Sequence, residues 1–204
     1  GPNMGGKSTY LRQVCLAAIM AHIGADVPAS RFEMTAMDAV FVRMGARDNL
    51  AGGQSTFMVE LSETSSMLRR ATRNSLVALD ELGRGTATAD GTAIACAVAS
   101  YLIDKRCRTL FSTHYHRLAD EHVCDPNVYL AHMACRVEIS TDSSEDTYGR
   151  ETVTFLYTLA SGNCPKSYGV NVARLAGLPE SVCLAAARRA AHLEHTQLDK
   201  TIGD

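Results

Sequence analysis

No apolar run in the sequence approaches the ~18 residues that a membrane-crossing helix needs. No signal peptide is visible either, although a chain that opens inside a motif does not report on its own targeting. Neither charge is in surplus: 20 Lys and Arg against 22 Asp and Glu leave a formal net charge of -2. That balance argues against a broad grip on a nucleic-acid backbone by this segment, because such a grip needs a basic surface. The seven cysteines are odd in number and contain no C-x-x-C pair. They therefore read as reduced thiols of a cytosolic or nuclear protein rather than as a disulfide framework. Repeats and low-complexity tracts are also lacking. What is there is a chain of 204 residues, 46% hydrophobic, suited to one large α/β domain or one domain with an appendage.

Helical periodicity starts just after the opening glycines, runs through about Ala21 and stops near Gly24. Ala39 to Met44 reads as a short strand, and Gly45 to Gln54 as a polar, Gly-rich loop. A helix with Phe57, Leu61, Thr64 and Leu68 on one stripe is expected next. Ser75 to Asp80, "SLVALD", is the continuous apolar run of a strand buried on both faces. Ala93, Ile94, Ala97, Val98, Tyr101 and Leu102 mark an amphipathic helix, followed by a buried strand at Cys107 to Thr113. Strand, helix and strand in alternation predict a parallel sheet with helical crossovers. "YLAHMACRVEI" and "TVTFLYTL" look like an antiparallel hairpin joined by the polar run 140–150, which is expected to be mobile. Two short helices close the chain, the second starting at Pro179. Basic clusters at Arg69, Arg70 and Arg73, and at Arg188 and Arg189, read as solvated helix faces.

The first residues, "GPNMGGKST", fit the phosphate-binding pattern G-x-x-x-x-G-K-[ST], from Gly1 through Gly6, Lys7 and Ser8. Glycines let the backbone curl so that several N–H groups face phosphate oxygens, and the following helix adds its positive N-terminal end. Lys7 would reach the β- and γ-phosphates, and Ser8 would offer a hydroxyl to magnesium. The plain alternative is a glycine turn before an ordinary helix. A Mg²⁺–nucleotide site also needs a carboxylate at the end of a buried strand, and "LVALDE" supplies Asp80 there with Glu81 next to it. Asp80 is the direct or indirect magnesium partner, and Glu81, pointing the other way, would polarise an attacking water. Otherwise Asp80 merely caps a turn. In "FSTHYH", His114 leaves the C-terminal end of the next strand, where open α/β sheets bind ligands, and would sense the γ-phosphate. Neighbouring His116 has no such position.

"LAGGQSTFMVELSE", Leu50 to Glu63, puts Ser55 and Thr56 at a helix start, an anion-ready terminus. This helix does not easily reach phosphates held by its own Lys7, whereas a second subunit's helix could. A capping Ser with no ligand is the simpler reading. The string resembles the LSGGQ-type signature of ABC ATPases, which acts across a dimer, although it follows the glycine loop too soon for a transporter's inserted helical arm. His122, Cys124, His132 and Cys135 form an H-x-C…H-x-x-C array. Its spacing is unlike that of common zinc sites, and buried structural Cys and His are the better reading.

In their order, "GPNMGGKST", "STFMVELSE", "LDELGRGTATADG", "FSTHYH" and "CPKSYGVNVARLAGLPE" resemble the MutS family of mismatch-repair ATPases over essentially the whole chain. "GRGTATADGTAIA", "AHMACRVE" and "CPKSYG" are most similar to the branch that supplies the mismatch-reading subunit of the eukaryotic heterodimer. The resemblance implies a P-loop, ABC-type α/β fold with a mostly parallel sheet, antiparallel strands late in the chain and a C-terminal helix-turn-helix. Residues 1–160 would be the ATPase domain lacking its upstream strands, and 161–204 a dimerisation region. Gly1, Pro2, Asn3, Met4, Gly5, Gly6, Lys7, Ser8 and Thr9 would hold ATP or ADP. Ser8 and Asp80 would serve Mg²⁺, and Glu81 the hydrolytic water. His114 would act as the γ-phosphate switch, and Ser55 would act in trans on a partner's nucleotide. The implied partners are a second MutS-homologue subunit and, through upstream domains, mismatched duplex DNA, in the nucleus and with no membrane. Arg47 departs from the family, where a small serine is usual. The strand that should deliver Gly1 would lie upstream, so the segment alone is expected to bind nucleotide poorly and fold marginally. Two other readings stay open: a non-repair, meiotic MutS homologue in which ATP is a structural ligand, and the nucleotide-binding domain of an ABC transporter.

Overall fold

The structure, a computed structural model, describes residues 3–45, 55–139, 151–164 and 168–202. Gly1, Pro2, Arg47, the Leu50 to Gln54 part of the signature string, the run 140–150 and residues 165–167 lie outside the described residues. The chain divides into two compact units, Gly6–Leu130 and Ala131–Asp204 with Gly1–Gly5. Residues 131–160 thus cluster with the C-terminal helices.

The unit Gly6–Leu130 carries α1 (Lys7–His22), β1 (Val40–Arg43), α2 (Thr56–Arg70), β2 (Leu76–Asp80), α3 (Thr88–Asp104), β3 (Arg108–Ser112) and α4 (His116–Glu121). Its strands form a parallel sheet in the order β1–β2–β3, with Val77 opposite Phe41 and Thr109. Central β2 explains its own apolar run: Leu76 and Ala78 face one way onto Leu11, Cys15 and Ala18 of α1. Val77 and Leu79 face the other way onto Met67 of α2 and Val98 and Leu102 of α3. Alternate side chains of one strand thus serve two helical layers, which is why no polar residue interrupts the run.

Three expectations are corrected here. The innermost line of α2 is Glu60, Thr64 and Met67, while Phe57, Leu61 and Leu68 are only half-buried. The helix is rotated by about one position because the carboxyl of Glu60 has a backbone partner inside. On α3 the buried residues are Gly91, Ala95, Val98, Ala99 and Leu102, with Ala93, Ala97 and Tyr101 exposed. Its alanines give a periodicity argument little contrast, and the close backbone approach at Gly91 turns the face inward. β3 is half-buried rather than buried, since among the described residues only β2 pairs with it.

In the other unit β4 (Ala131–Ile139) and β5 (Glu151–Ser161) pair antiparallel, as expected, with a bulge after Met133 that leaves Tyr157 at a φ of 54°. The short 3-10 turn Asn3–Gly5 packs on this pair. Helix α5 (Gly169–Leu175) and helix α6 follow, and α6 runs from Glu180 to Ile202. At 23 residues α6 is long, not short as expected. It starts behind Pro179, whose carbonyl accepts the N–H of Val182. Arg174 of α5 clamps Glu180 through Nε at 2.9 Å and Nη2 at 3.0 Å. No helix among the described residues is long and apolar enough to cross a membrane.

Candidate nucleotide-binding site

In a parallel sheet the C-terminal ends of neighbouring strands lie side by side, so whatever follows β2 and β3 must meet. Asp80 is the last residue of β2 and Ser112 the last of β3, and the two are in register. The Ser112 hydroxyl donates to Asp80 Oδ1 at 2.5 Å, and the Ser112 carbonyl accepts the N–H of Glu81 at 2.9 Å. Glu81 has a φ of 53°, a left-handed backbone that costs a non-glycine residue about 1–3 kcal/mol and persists only where its surroundings hold it.

Lys7 reaches the same place from α1. Gly6 precedes it with φ 91° and ψ 16°, a turn a β-carbon would oppose, and this turn puts Lys7 on the first helical position. The ammonium stands 3.7 Å from Glu81 Oε1, both side chains being largely buried, at 11% and 17% exposed. The exposed guanidinium of Arg84 donates to Glu81 Oε2 at 2.7 Å. His114 lies two residues beyond β3, its ring centroid 4.2 Å from that of Tyr115. His114 is exposed, yet partial desolvation by its neighbours lowers its imidazole pKa from the ordinary value; Glu81 opposes that effect, and Lys7 and Arg84 reinforce it. That direction favours the neutral ring.

Lys7, Asp80, Glu81 and His114 thus share one end of one sheet. Ser8 and Thr9 occupy the first turn of α1, Ser8 half-buried and Thr9 exposed. Asn3, Met4 and Gly5 form the 3-10 turn in the other unit. Ser55 stands exposed as the N-cap of α2, its Oγ accepting the N–H of Met58 at 3.2 Å. His132 Nδ1 is paired with the Gly162 carbonyl at 2.9 Å. Among the described residues no group of three or more His, Cys, Asp or Glu side chains is gathered as a metal site.

Sequence reasoning missed Ser112, Arg84, Glu60 and Tyr115. Ser112 could have been found, as the strand-end neighbour of Asp80 in any parallel pairing. Glu60 and Tyr115 bind the backbone of Gly83, an atom set with no letter in the sequence.

The arrangement suits a polyanion: a left-handed glycine, a helix N-terminus, an ammonium and a strand-end carboxylate converge. Comparison with known proteins agrees on the lineage. The profile described as MutS domain V matches residues 1–194. The chain is 60% identical over 195 residues, 95% of its length, to the DNA mismatch repair protein MSH6 of Arabidopsis thaliana, covering 14% of that protein. It is 55% identical over 195 residues to the DNA mismatch repair protein Msh6 of Homo sapiens, again 95% of this chain and 14% of that one. It is 51% identical over 187 residues to the DNA mismatch repair protein MutS of Treponema pallidum (strain Nichols), 91% of this chain and 19% of that one. The chain therefore spans less than a fifth of the length of these relatives, and within that span it belongs to the MutS family, as its domain V.

Proposed function

We propose that this domain binds ATP with Mg²⁺ and hydrolyses it, within a mismatch-repair MutS homologue, as an ABC-type ATPase. The observation that carries the reading is the Lys7–Glu81 contact at 3.7 Å, at the strand end that also bears Asp80. Gly1 to Thr9 would cradle the triphosphate, with Lys7 on its β- and γ-oxygens. Ser8 and Asp80 would hold magnesium, whose contribution is to neutralise phosphate charge. Asp80 fits that part because its hydrogen bond from Ser112 fixes the carboxylate while leaving lone pairs available.

Glu81 is paired with two cations, so both of its oxygens are occupied. A triphosphate competes for Lys7, and its arrival releases one oxygen of Glu81 to orient water. His114, neutral, keeps an N–H to donate to the γ-phosphate. Catalysis is then mostly positioning and charge stabilisation.

The arrangement of the exposed Ser55 at a helix N-terminus supports a role in trans: two such domains would close on nucleotide, one giving its glycine loop and the other its Ser55. Residues 1–160 would do this chemistry, while 161–204, with α5 and α6 joined at a tight turn, would clamp a second MutS-homologue subunit. Closure would act on mismatched DNA bound by other parts of the protein, in the nucleus.

The test is Glu81→Ala in the intact heterodimer. ATP binding is retained and steady-state turnover falls about a hundredfold or more, the scale of a lost catalytic group. Unchanged hydrolysis refutes the assignment.

A further inference from the structure

Three residues beyond the end of β2, Gly83 has both of its backbone polar groups claimed by side chains from other elements. Its N–H donates to Glu60 Oε1 of α2 at 3.2 Å, and its carbonyl accepts the Tyr115 hydroxyl at 2.9 Å. Glu60 and Tyr115 are both buried, at 7% and 7% exposed. Burial raises the Tyr115 pKa, with Glu60 and Glu81 adding to it, so the phenol stays a donor. Gly83 has a φ of 90° and is pressed on Gly91 of α3. A β-carbon on Gly83 would lie 2.5 Å from the Gly91 carbonyl oxygen, and one on Gly91 2.3 Å from the Gly83 oxygen. Gly85 fits as closely on Phe57, where a β-carbon would stand 3.0 Å from the Phe57 Cβ. The turn that carries Glu81 is thus gripped by α2, by α3 and by the residue next to His114.

Gly83 is buried, so water does not satisfy its N–H and carbonyl, and the side chains of Glu60 and Tyr115 are what holds this turn to α2 and to the residue after His114. The strain is local: Glu81, two residues before Gly83, holds its left-handed backbone against a preference for relaxing. We propose that Glu60 and Tyr115 are positioning residues for Glu81, bracing Gly83 so that Glu81 keeps its left-handed conformation and its carboxylate faces Lys7. Because Glu60 and Phe57 belong to the first turns of the helix that Ser55 caps, the same brace ties Ser55 to Glu81. This rests on the hydrolytic role proposed for Glu81, and the two can fail separately.

The experiment uses the full-length protein in its heterodimer and measures steady-state ATP turnover with nucleotide affinity. Tyr115→Phe removes one hydroxyl from an otherwise unchanged ring. It lowers kcat about tenfold with KM within about twofold, the pattern of a misplaced catalytic group rather than a lost binding one. Glu60→Leu does the same, and Glu60→Gln, which keeps an acceptor oxygen for the Gly83 N–H, recovers most of the rate. In a Glu81→Gln background, Tyr115→Phe has no further effect on the residual rate. Full kcat in both Tyr115→Phe and Glu60→Leu overturns the brace, and so does a parallel loss of nucleotide affinity, which would mark general damage. Should Glu81→Gln itself leave turnover intact, the hydrolytic reading falls. Should Glu81→Gln abolish turnover while the other two do not lower it, only the brace falls.

Discussion

His114 is an exposed histidine whose surroundings favour its neutral form. Partial desolvation disfavours the imidazolium, and the nearby Lys7 and Arg84 cations add to that more locally than the whole chain's balanced charge would suggest. Glu81 pulls the other way without prevailing. The folded pKa therefore lies below the unfolded value of about 6.5. Between the two the unfolded chain binds more protons, so stability rises with pH through that window. The His114 contribution is complete above about 6.5 and is lost as pH falls through the folded value. On the proposed function, the same titration would end the neutral ring's service to a γ-phosphate. The acid limb of kcat against pH is expected below about 6.5 and to flatten in His114→Asn. A limb centred above neutrality in the intact protein, unmoved by that substitution, would contradict the neutral-donor role.

At the scale of elements, the junction between α3 and β3 stores strain at Arg106. Helix α3 closes with the N–H of Arg106 on the Ile103 carbonyl at 2.8 Å and that of Cys107 on the Leu102 carbonyl at 3.1 Å. This pair of bonds requires a left-handed residue, and the chain puts exposed Arg106 there with a φ of 52°. Relieving a roughly 1–2 kcal/mol conformational penalty against the greater entropy of glycine leaves a net gain. Arg106→Gly is expected to stabilise the junction by about 0.5–1 kcal/mol, seen as slower amide exchange in the last turn of α3. Faster exchange there would mean that the arginine side chain has a partner worth more than the strain. The same scale explains what could be read in advance. β2 was legible because four buried residues in a row leave a strand no other face to show. The inward face of α3 was not, because alanines fit either side and the choice falls to Gly91 meeting Gly83. Glu60 was hidden for a related reason: a charged letter reads as surface unless its backbone partner is known. That Lys7, Asp80 and Glu81 would meet at one strand end was readable because the glycine-loop pattern and the strand-end acids constrain residue type and position together. The brace behind Glu81 constrains only shape.

For the whole molecule, the proposed function turns on whose nucleotide Ser55 would serve. If it acts on the partner's site, a change at Ser55 harms hydrolysis there more than hydrolysis at Lys7 and Glu81 of its own chain. Ser55→Ala would confuse the two, because the lost cap costs about 1 kcal/mol at the start of α2 and, through Glu60, would loosen the Glu81 turn. Ser55→Asp avoids this. An aspartate caps as well as a serine, so Met58 keeps its acceptor, while the added charge repels a phosphate brought to the helix end. Two heterodimers separate the sites: one with Glu81→Gln, where only the partner turns over, and one with the partner's equivalent carboxylate removed. Ser55→Asp is expected to cut the first rate by about tenfold or more beyond its effect on the second, in line with loss of a contact to developing phosphate charge. Equal effects on both would make Ser55 a cap and nothing else. A larger effect on the second would put the serine over its own chain's phosphates, beside the Glu81 turn that the first turns of α2 already touch.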